Sequence, residues 1–343
     1  MIRLLGLCLL AAACASPTPS IRVSEGRPAM GTVLEIEIAA RDEAAARATL
    51  ERCFERVAEL ERLFTRFDPE SALSRLNRAA GRGPRSVDPA LARILADSRE
   101  YASLTRGSFD VTVGPLVAFW WEAGRRGSAP SADELAVARA RVGSDGIELS
   151  ADASRAGLAR AGMSVDLGGI AKGWALDRVA EILAAEGVTS GFASFGGSSF
   201  LALGTPRGDS GWRVLLRDAG GGFAGVMHLR DRSLSASGSL GQSIEIAGRA
   251  YGHVIDPRSG EPLVRAAQAA VVAPTGALAE ALSKALLVLG EDEGIALLED
   301  LPGVEGFVID ASGRTRRTEG WDRAVDFADR SGDAFRSFVH PGL

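Results

Sequence analysis

Polar and apolar positions alternate over residues 32–38 (Thr-Val-Leu-Glu-Ile-Glu-Ile), which predicts a strand with one buried face. Over residues 42–64 the period lengthens. Leu50, Phe54, Val57, Leu60 and Phe64 recur at helical spacing and predict a long amphipathic helix laid over that sheet. Residues 65–77 read as a polar loop passing into a short helix, and Asp88 with Pro89 supplies the cap and first-turn proline of a helix through Tyr101. Ser131 and Glu134 form a capping box for a helix reaching Ala140, and residues 147–149 with 157–161 predict a hairpin. Residues 163–167 read as a short apolar strand. Behind it Ala175, Val179, Ile182 and Leu183 mark another helix. A glycine- and serine-rich strand pair follows at 191–204, then strands at 212–216 and 225–229, while 233–238 leads into a polar turn. Residues 269–273 read as a buried strand, 277–289 as a strongly apolar helix and 304–309 as a last strand, after which the chain reads as covering structure.

This mixture is α+β, and in 343 residues no long Pro, Ser or charged linker after residue 30 divides it, so one large domain over 21–343 is expected. Acidic and basic residues nearly cancel to a net charge of -5, and basic runs interleaved with aromatics are missing, which excludes a nucleic-acid partner. The 41 glycines are spread through loops and form no repeat. Residues 1–20 stand apart. Arg3, the apolar run 4–13 and Cys14 resemble a bacterial lipoprotein signal, cut before Cys14, which then carries lipid as the sole membrane contact; an ordinary secretory signal is the alternative. The run is too short to span a bilayer, and residues 15–20, with two prolines, read as a tether. Of three cysteines, Cys8 and Cys14 belong to this leader. Cys53 is left alone on a helix, without a disulfide or cysteine metal site.

Candidate chemistry lies in three places. Asp166-Leu167-Gly168-Gly169-Ile170-Ala171-Lys172-Gly173 reads as strand, glycine turn and helix start, a place where unpaired amides, the helix dipole and Lys172 suit a phosphate. A tight left-handed turn with a solvated lysine is the other reading. Gly252-His253-Val254-Ile255-Asp256-Pro257-Arg258-Ser259-Gly260 gathers a histidine, an aspartate and an arginine on one turn, and the chain has only three histidines. An Asx-type turn with a surface arginine is the plainer account. Glu280, Ser283 and Lys284 share one face of the 277–289 helix, Glu280 and Lys284 standing i, i+4 as in a surface ion pair.

These segments, with Met30-Gly31-Thr32, Ser71-Ala72-Leu73-Ser74-Arg75-Leu76-Asn77 and Phe109-Asp110-Val111-Thr112-Val113-Gly114-Pro115, resemble in order the motifs of the ApbE family of FAD:protein FMN transferases, from about residue 30 to 298. The resemblance implies a T-fold-like domain of mostly antiparallel sheet with covering helices, exported and often lipid-anchored on the periplasmic side of the inner membrane. It implies an enzyme that binds FAD, breaks its pyrophosphate with Mg2+, releases AMP and leaves FMN esterified to a threonine or serine of an exported acceptor protein. By the same resemblance Met30 and Phe67 touch the flavin, Phe109, Asp110 and Asp166 hold FAD, and Lys172, His253 and Val254 face its phosphates. Lys172, His253 and Arg258 are then the catalytic candidates, with His253 as the base. Phe67 stands where many members carry tyrosine, a change that keeps stacking and loses a hydroxyl. The metal ligands implied are the Gly169 carbonyl, Glu280 in place of an aspartate, and position 284. There the family's threonine is replaced by Lys284, which offers no oxygen and whose ammonium is placed to pair with Glu280 and stand in for part of the metal's charge. Alternatives from that departure are a flavin-binding lipoprotein without catalysis, or an FAD pyrophosphatase that uses water.

Overall fold

The computed structural model describes residues 21–218, 222–239 and 243–326 and the short strand Ala328–Asp329. The leader expected over 1–20 lies outside the described residues, and no described helix is long and apolar enough to cross a membrane.

The main sheet has eight strands: β1 (Ile21–Ala29), β2 (Thr32–Ala40), β3 (Gly191–Phe195), β4 (Ser199–Leu203), β5 (Arg232–Gly238), β6 (Ala267–Ala273), β7 (Glu305–Asp310) and β8 (Thr315–Arg317). Their spatial order is their chain order, and every neighbouring pair is antiparallel. The expected α+β class with a mostly antiparallel sheet therefore holds, as a meander whose connections carry the helices. Between β2 and β3 lie α1 (Glu43–Phe64), α2 (Ala72–Arg78), α3 (Pro89–Leu104), α4 (Gly114–Arg126), α5 (Ala132–Arg139) and α6 (Ala171–Ala185). Between β6 and β7 come α7 (Gly276–Leu289) and α8 (Glu291–Glu299).

Strand alternation sorts the core. Leu34, Ile36 and Ile38 of β2, Ala193 and Phe195 of β3 and Leu201 of β4 pack under Leu50, Val57 and Leu60 of α1 and Trp174 and Val179 of α6. The intervening residues Phe200, Leu234, Val272, Phe307 and Ile309 face the other way, onto Trp212, Val214 and Leu229 of the hairpin Trp212–Arg217 and Phe223–Leu229. The middle of the sheet is thus covered on both faces, and each fully enclosed Leu or Ile contributes about 1.5–3 kcal/mol.

Two segments differ from their sequence reading. Residues 233–238, expected to lead into a turn, are β5, a central strand. Leu234 and Ala236 face the hairpin layer, whereas Ser235 and Ser237 face α7, where their hydroxyls meet Ser283 Oγ at 3.0 and 2.9 Å. A strand whose helix-side face is hydroxyl carries little apolar signal. Residues 163–167, expected as a strand, make only a single bridge, Ser164 to Val113. Their backbone is pinned by a side chain: Asn77 Nδ2 donates to the Val165 carbonyl at 2.9 Å, and Val165 N–H donates to Asn77 Oδ1 at 2.8 Å. Asp166 N–H adds a bond to the Val111 carbonyl at 2.8 Å.

Helices α6 and α7 cross in backbone contact. A Cβ on Gly173 would lie 2.2 Å from the Gly276 carbonyl oxygen, so only glycine permits the approach. From the next turn of α6, Asp177 accepts the first amides of α7, Gly276 N–H at 2.6 Å and Ala277 N–H at 3.0 Å. This crossing fixes where the polar face of α7 meets the start of α6.

Candidate active site

The start of α6, the β1–β2 turn, the loop after α1, the segment 108–113 and the loop 253–257 surround one cleft. Its inner lobe, about 450 Å³, is lined by Met30, Phe67, Phe109, Asp110, Asp166, Gly169, His253, Val254 and Lys284, with Arg66 and Trp121 beside them. An adjoining lobe of about 600 Å³ shares Met30, Phe67 and Asp166 and adds Lys172. Segments far apart in sequence thus meet at one place, contributed by the β1–β2, β2–β3, β5–β6 and β6–β7 connections of the meander.

Met30 and Gly31 are the two-residue turn of the β1–β2 hairpin, with φ of 48° and 77°. Both central residues at positive φ make a type I′ turn. Gly31 adopts this conformation without cost, whereas Met30 sits in a region that costs a side-chain-bearing residue of order 1 kcal/mol or more. The strain sets a polarizable side chain on the cleft wall. Phe67 projects from the loop after α1 with 81% of its surface exposed, and Arg66 lies 4.6 Å from its ring centroid. An aromatic left this open is a platform for a ligand and contributes little to the core.

The glycine turn departs from one of its two readings. Neither Gly168 nor Gly169 is among the positive-φ glycines, so the turn is not left-handed. A Cβ on Gly168 would press on Asp166 Oδ1 at 3.1 Å, and Gly169 lies bare between the Phe109 ring and Lys284 Cε. Ile170 at the N-cap of α6 gives no side-chain cap. Lys172 is not a solvated surface lysine: its Nζ donates to Ser198 Oγ at 2.7 Å, in the turn between β3 and β4.

The two aspartates have different duties. Asp110 is buried and internally occupied, Oδ1 accepting Thr112 N–H at 2.8 Å and its hydroxyl at 2.7 Å, Oδ2 accepting Ser144 N–H at 2.8 Å. Burial pushes its pKa up while those donors pull it down. Asp166 is half-buried. Its Oδ1 accepts Gly168 N–H at 2.8 Å and its Oδ2 meets Arg66 Nε at 3.3 Å.

His253 stands exposed at the rim, on a loop held by Leu263 N–H to the Val254 carbonyl at 2.8 Å and by Trp120 Nε1 to the Gly260 carbonyl at 2.8 Å. Arg258, a catalytic candidate from the sequence, does not line the cleft. Its guanidinium grips Asp256 side-on, Nε to Oδ1 at 3.0 Å and Nη2 to Oδ2 at 3.1 Å, so the turn consumes its own cation.

On α7 the surface ion pair is replaced by something else. Glu280 is 1% exposed; one carboxylate oxygen accepts the Ser199 hydroxyl, and Oε2 has no hydrogen-bond partner. Lys284 lines the inner lobe and forms no ion pair with Glu280 among the described residues. Burial lowers the Lys284 pKa, Glu280 opposes that shift and Lys172 adds to it.

The ApbE family model matches residues 30–308. The chain belongs to the ApbE family. The FAD:protein FMN transferase of Treponema pallidum is 32% identical over 309 residues, covering 85% of this chain and 85% of that protein. The FAD:protein FMN transferase of Klebsiella pneumoniae is 29% identical over 326 residues, covering 89% and 93%. Among solved structures, the apo flavinyl transferase ApbE of Pseudomonas stutzeri superposes with a TM-score of 0.78 at 25% identity, covering 89% of this chain and 97% of that one. The ApbE protein of Thermotoga maritima gives 0.79 at 24% identity over 88% and 99%, a likeness of fold.

Within this ApbE chain the residues present do not fit a magnesium site. Mg2+ demands a near-octahedral set of oxygens. Of the ligand positions the resemblance implies, Glu280 is 1% exposed and lines neither lobe, and position 284 brings an ammonium, which repels a dication. Groups of three or more His, Cys, Asp or Glu able to hold a metal are absent among the described residues. Sequence reasoning missed Arg66 and Trp121, which line the cleft from the loop after α1 and from α4. Trp120 is indeed buried, but Trp121 is 45% exposed.

Proposed function

We propose that this protein is an FAD:protein FMN transferase that transfers the FMN part of FAD to a threonine or serine hydroxyl of an exported acceptor protein and releases AMP. The observation that carries the reading is the cleft itself. In a chain of the ApbE family, Met30 and Phe67 line both of two adjoining lobes, with Lys172 in one and Lys284 in the other. An aromatic and thioether mouth suits an isoalloxazine ring. A cationic inner end suits a diphosphate.

In the reaction the acceptor oxygen attacks the FMN phosphorus, forming the phosphoester, and the bond from that phosphorus to the bridging oxygen breaks, so that AMP leaves with that oxygen. The hydroxyl proton passes to His253 at the rim. Such a transfer depends mostly on positioning and on neutralising charge, which the lysines supply. Arg258, held by Asp256, takes no part. The Cys14 leader supports a lipoprotein on the periplasmic side of the inner membrane, with a soluble periplasmic enzyme as the alternative.

Lys284 at a family metal position favours a second reading, a flavin-binding lipoprotein without catalysis. Incubating the mature protein with FAD and a threonine-containing acceptor, with and without Mg2+, separates the two. Transferase activity adds one FMN to the acceptor by intact mass and releases AMP in equal amount. AMP and FMN without labelled acceptor identify an FAD pyrophosphatase, and bound FAD with neither product identifies the binder.

A further inference from the structure

We propose that the Lys284 ammonium is the resident counter-charge for the FAD diphosphate, so that the cleft binds the dinucleotide without a divalent cation. This rests on reading the cleft as an FAD site, and it concerns how that site handles charge.

Among the described residues Lys284 makes no hydrogen bond and no ion pair. A lysine projecting from the middle of a helix, half-buried and with no anion in direct contact, is costly unless a ligand supplies one. Of the charged groups near it, Arg66 pairs with Asp166 and Asp110 accepts three donors, while Glu280, outside both lobes, accepts the Ser199 hydroxyl, keeps Oε2 unpartnered and acts on Lys284 only through space. Lys172 holds Ser198 and keeps its charge directed at the adjoining lobe. The cleft therefore carries two lysine cations that no carboxylate among the described residues neutralises by direct contact, one lining each lobe.

The geometry that brings them together is backbone geometry. The Gly173 and Gly276 contact locks α6 against α7, and Lys284 Cε lies 4.0 Å from where a Cβ on Gly169 would stand. Lys284 thus reaches the mouth of the glycine turn, where a phosphate would sit. One ammonium for each phosphate of a diphosphate neutralises it, and a dication brought beside the Lys284 ammonium would be repelled.

Calorimetry of FAD binding to the mature protein tests this, in chelator and again in millimolar Mg2+, for wild type, Lys284→Met and Lys284→Thr, with a melting curve for each. The wild-type dissociation constants are expected to agree within about twofold, and Lys284→Met to bind FAD about 10-fold or more weakly in chelator, as loss of a charge-assisted contact requires. In Lys284→Thr, an oxygen where the ammonium stood should let Mg2+ strengthen binding by about fivefold or more. Wild-type binding that requires Mg2+ overturns the inference and leaves the transferase reading standing, and that arm needs no variant to fold. Equal binding of FAD by wild type and a folded Lys284→Met in chelator overturns it too. If FAD binds under no condition, the reading of the cleft falls and this inference with it.

Discussion

Lys172 and Lys284 serve the same cleft from opposite circumstances. Lys172 stands in the first turn of α6, beside two glycines, and its ammonium is steadied by the Ser198 hydroxyl. Lys284 stands in the middle of α7, on the polar face of an otherwise apolar helix, with burial and Lys172 lowering its pKa and Glu280 raising it. A cation with a neutral hydroxyl partner is a stable fixture in the absence of ligand. A cation without a partner is stabilised chiefly by whatever anion arrives. The first reads as a positioning charge and the second as one whose stabilisation is completed by substrate.

The sharpest way to break that pairing is to separate the helices. Gly173→Ala places a methyl 2.2 Å from the Gly276 carbonyl, inside any allowed contact. Overpacking against backbone of this severity is expected to cost about 3 kcal/mol, read as a drop in unfolding free energy, and to weaken FAD binding through both lysines together. An unaltered melting curve would mean that the crossing is looser than described. Lys172→Ala leaves the crossing intact and removes one charge, so FMN transfer should fall about 100-fold with little change in stability. A change of less than threefold would show that Lys172 only ties the β3–β4 turn.

A third test reaches the cap that holds α7. Burial raises the Asp177 pKa to about 6, against the two amide bonds and Arg178, which lower it, and Glu280, which raises it further. With a folded pKa above the unfolded value of 3.8, the native state holds a proton that the unfolded chain has released. The stability from this group is therefore fully present below the unfolded pKa and is lost as pH rises through about 6. Asp177→Asn cannot titrate and should flatten the pH dependence of stability across this window. An identical slope in both proteins would assign the titration to another group. The smallest effect is expected at Phe67. With 81% of its surface exposed, Phe67→Ala should shift stability by no more than about 0.5 kcal/mol while weakening FAD binding about 3- to 10-fold, a split that a merely structural residue would not give.

The contrast between the lysines also shows where the sequence was legible. Lys172 announced itself because a glycine pair before a helix is a local signal, and α3 and α5 did the same through Asp88 and the Ser131–Glu134 box, both of which cap as expected. Lys284 was visible as a residue type but not as an environment. Spacing four from Glu280 suggested a surface pair, and only the tertiary crossing turned that face inward onto the serines of β4 and β5. Strand β5 escaped for the same reason, since Ser235 and Ser237 pack against Ser283 where apolar side chains would have been counted. Asp110 and Asp166 looked alike in sequence. What separates them is Ser144, thirty-four residues beyond Asp110, whose amide completes the internal shell of one carboxylate, whereas the other meets Arg66. Arg258 is engaged by Asp256, a neighbour that in sequence read as a second functional group.

The central claim is that one cleft holds FAD with its diphosphate between these two ammonium groups. A structure of the mature protein grown with FAD in chelator tests it directly. The account predicts the flavin against Met30 and Phe67, phosphate oxygens within hydrogen-bond distance of Lys172 Nζ and Lys284 Nζ, and no Arg258 contact. Diphosphate oxygens remote from both lysines, or a Lys284 side chain swung out of the cleft with FAD bound, would contradict it.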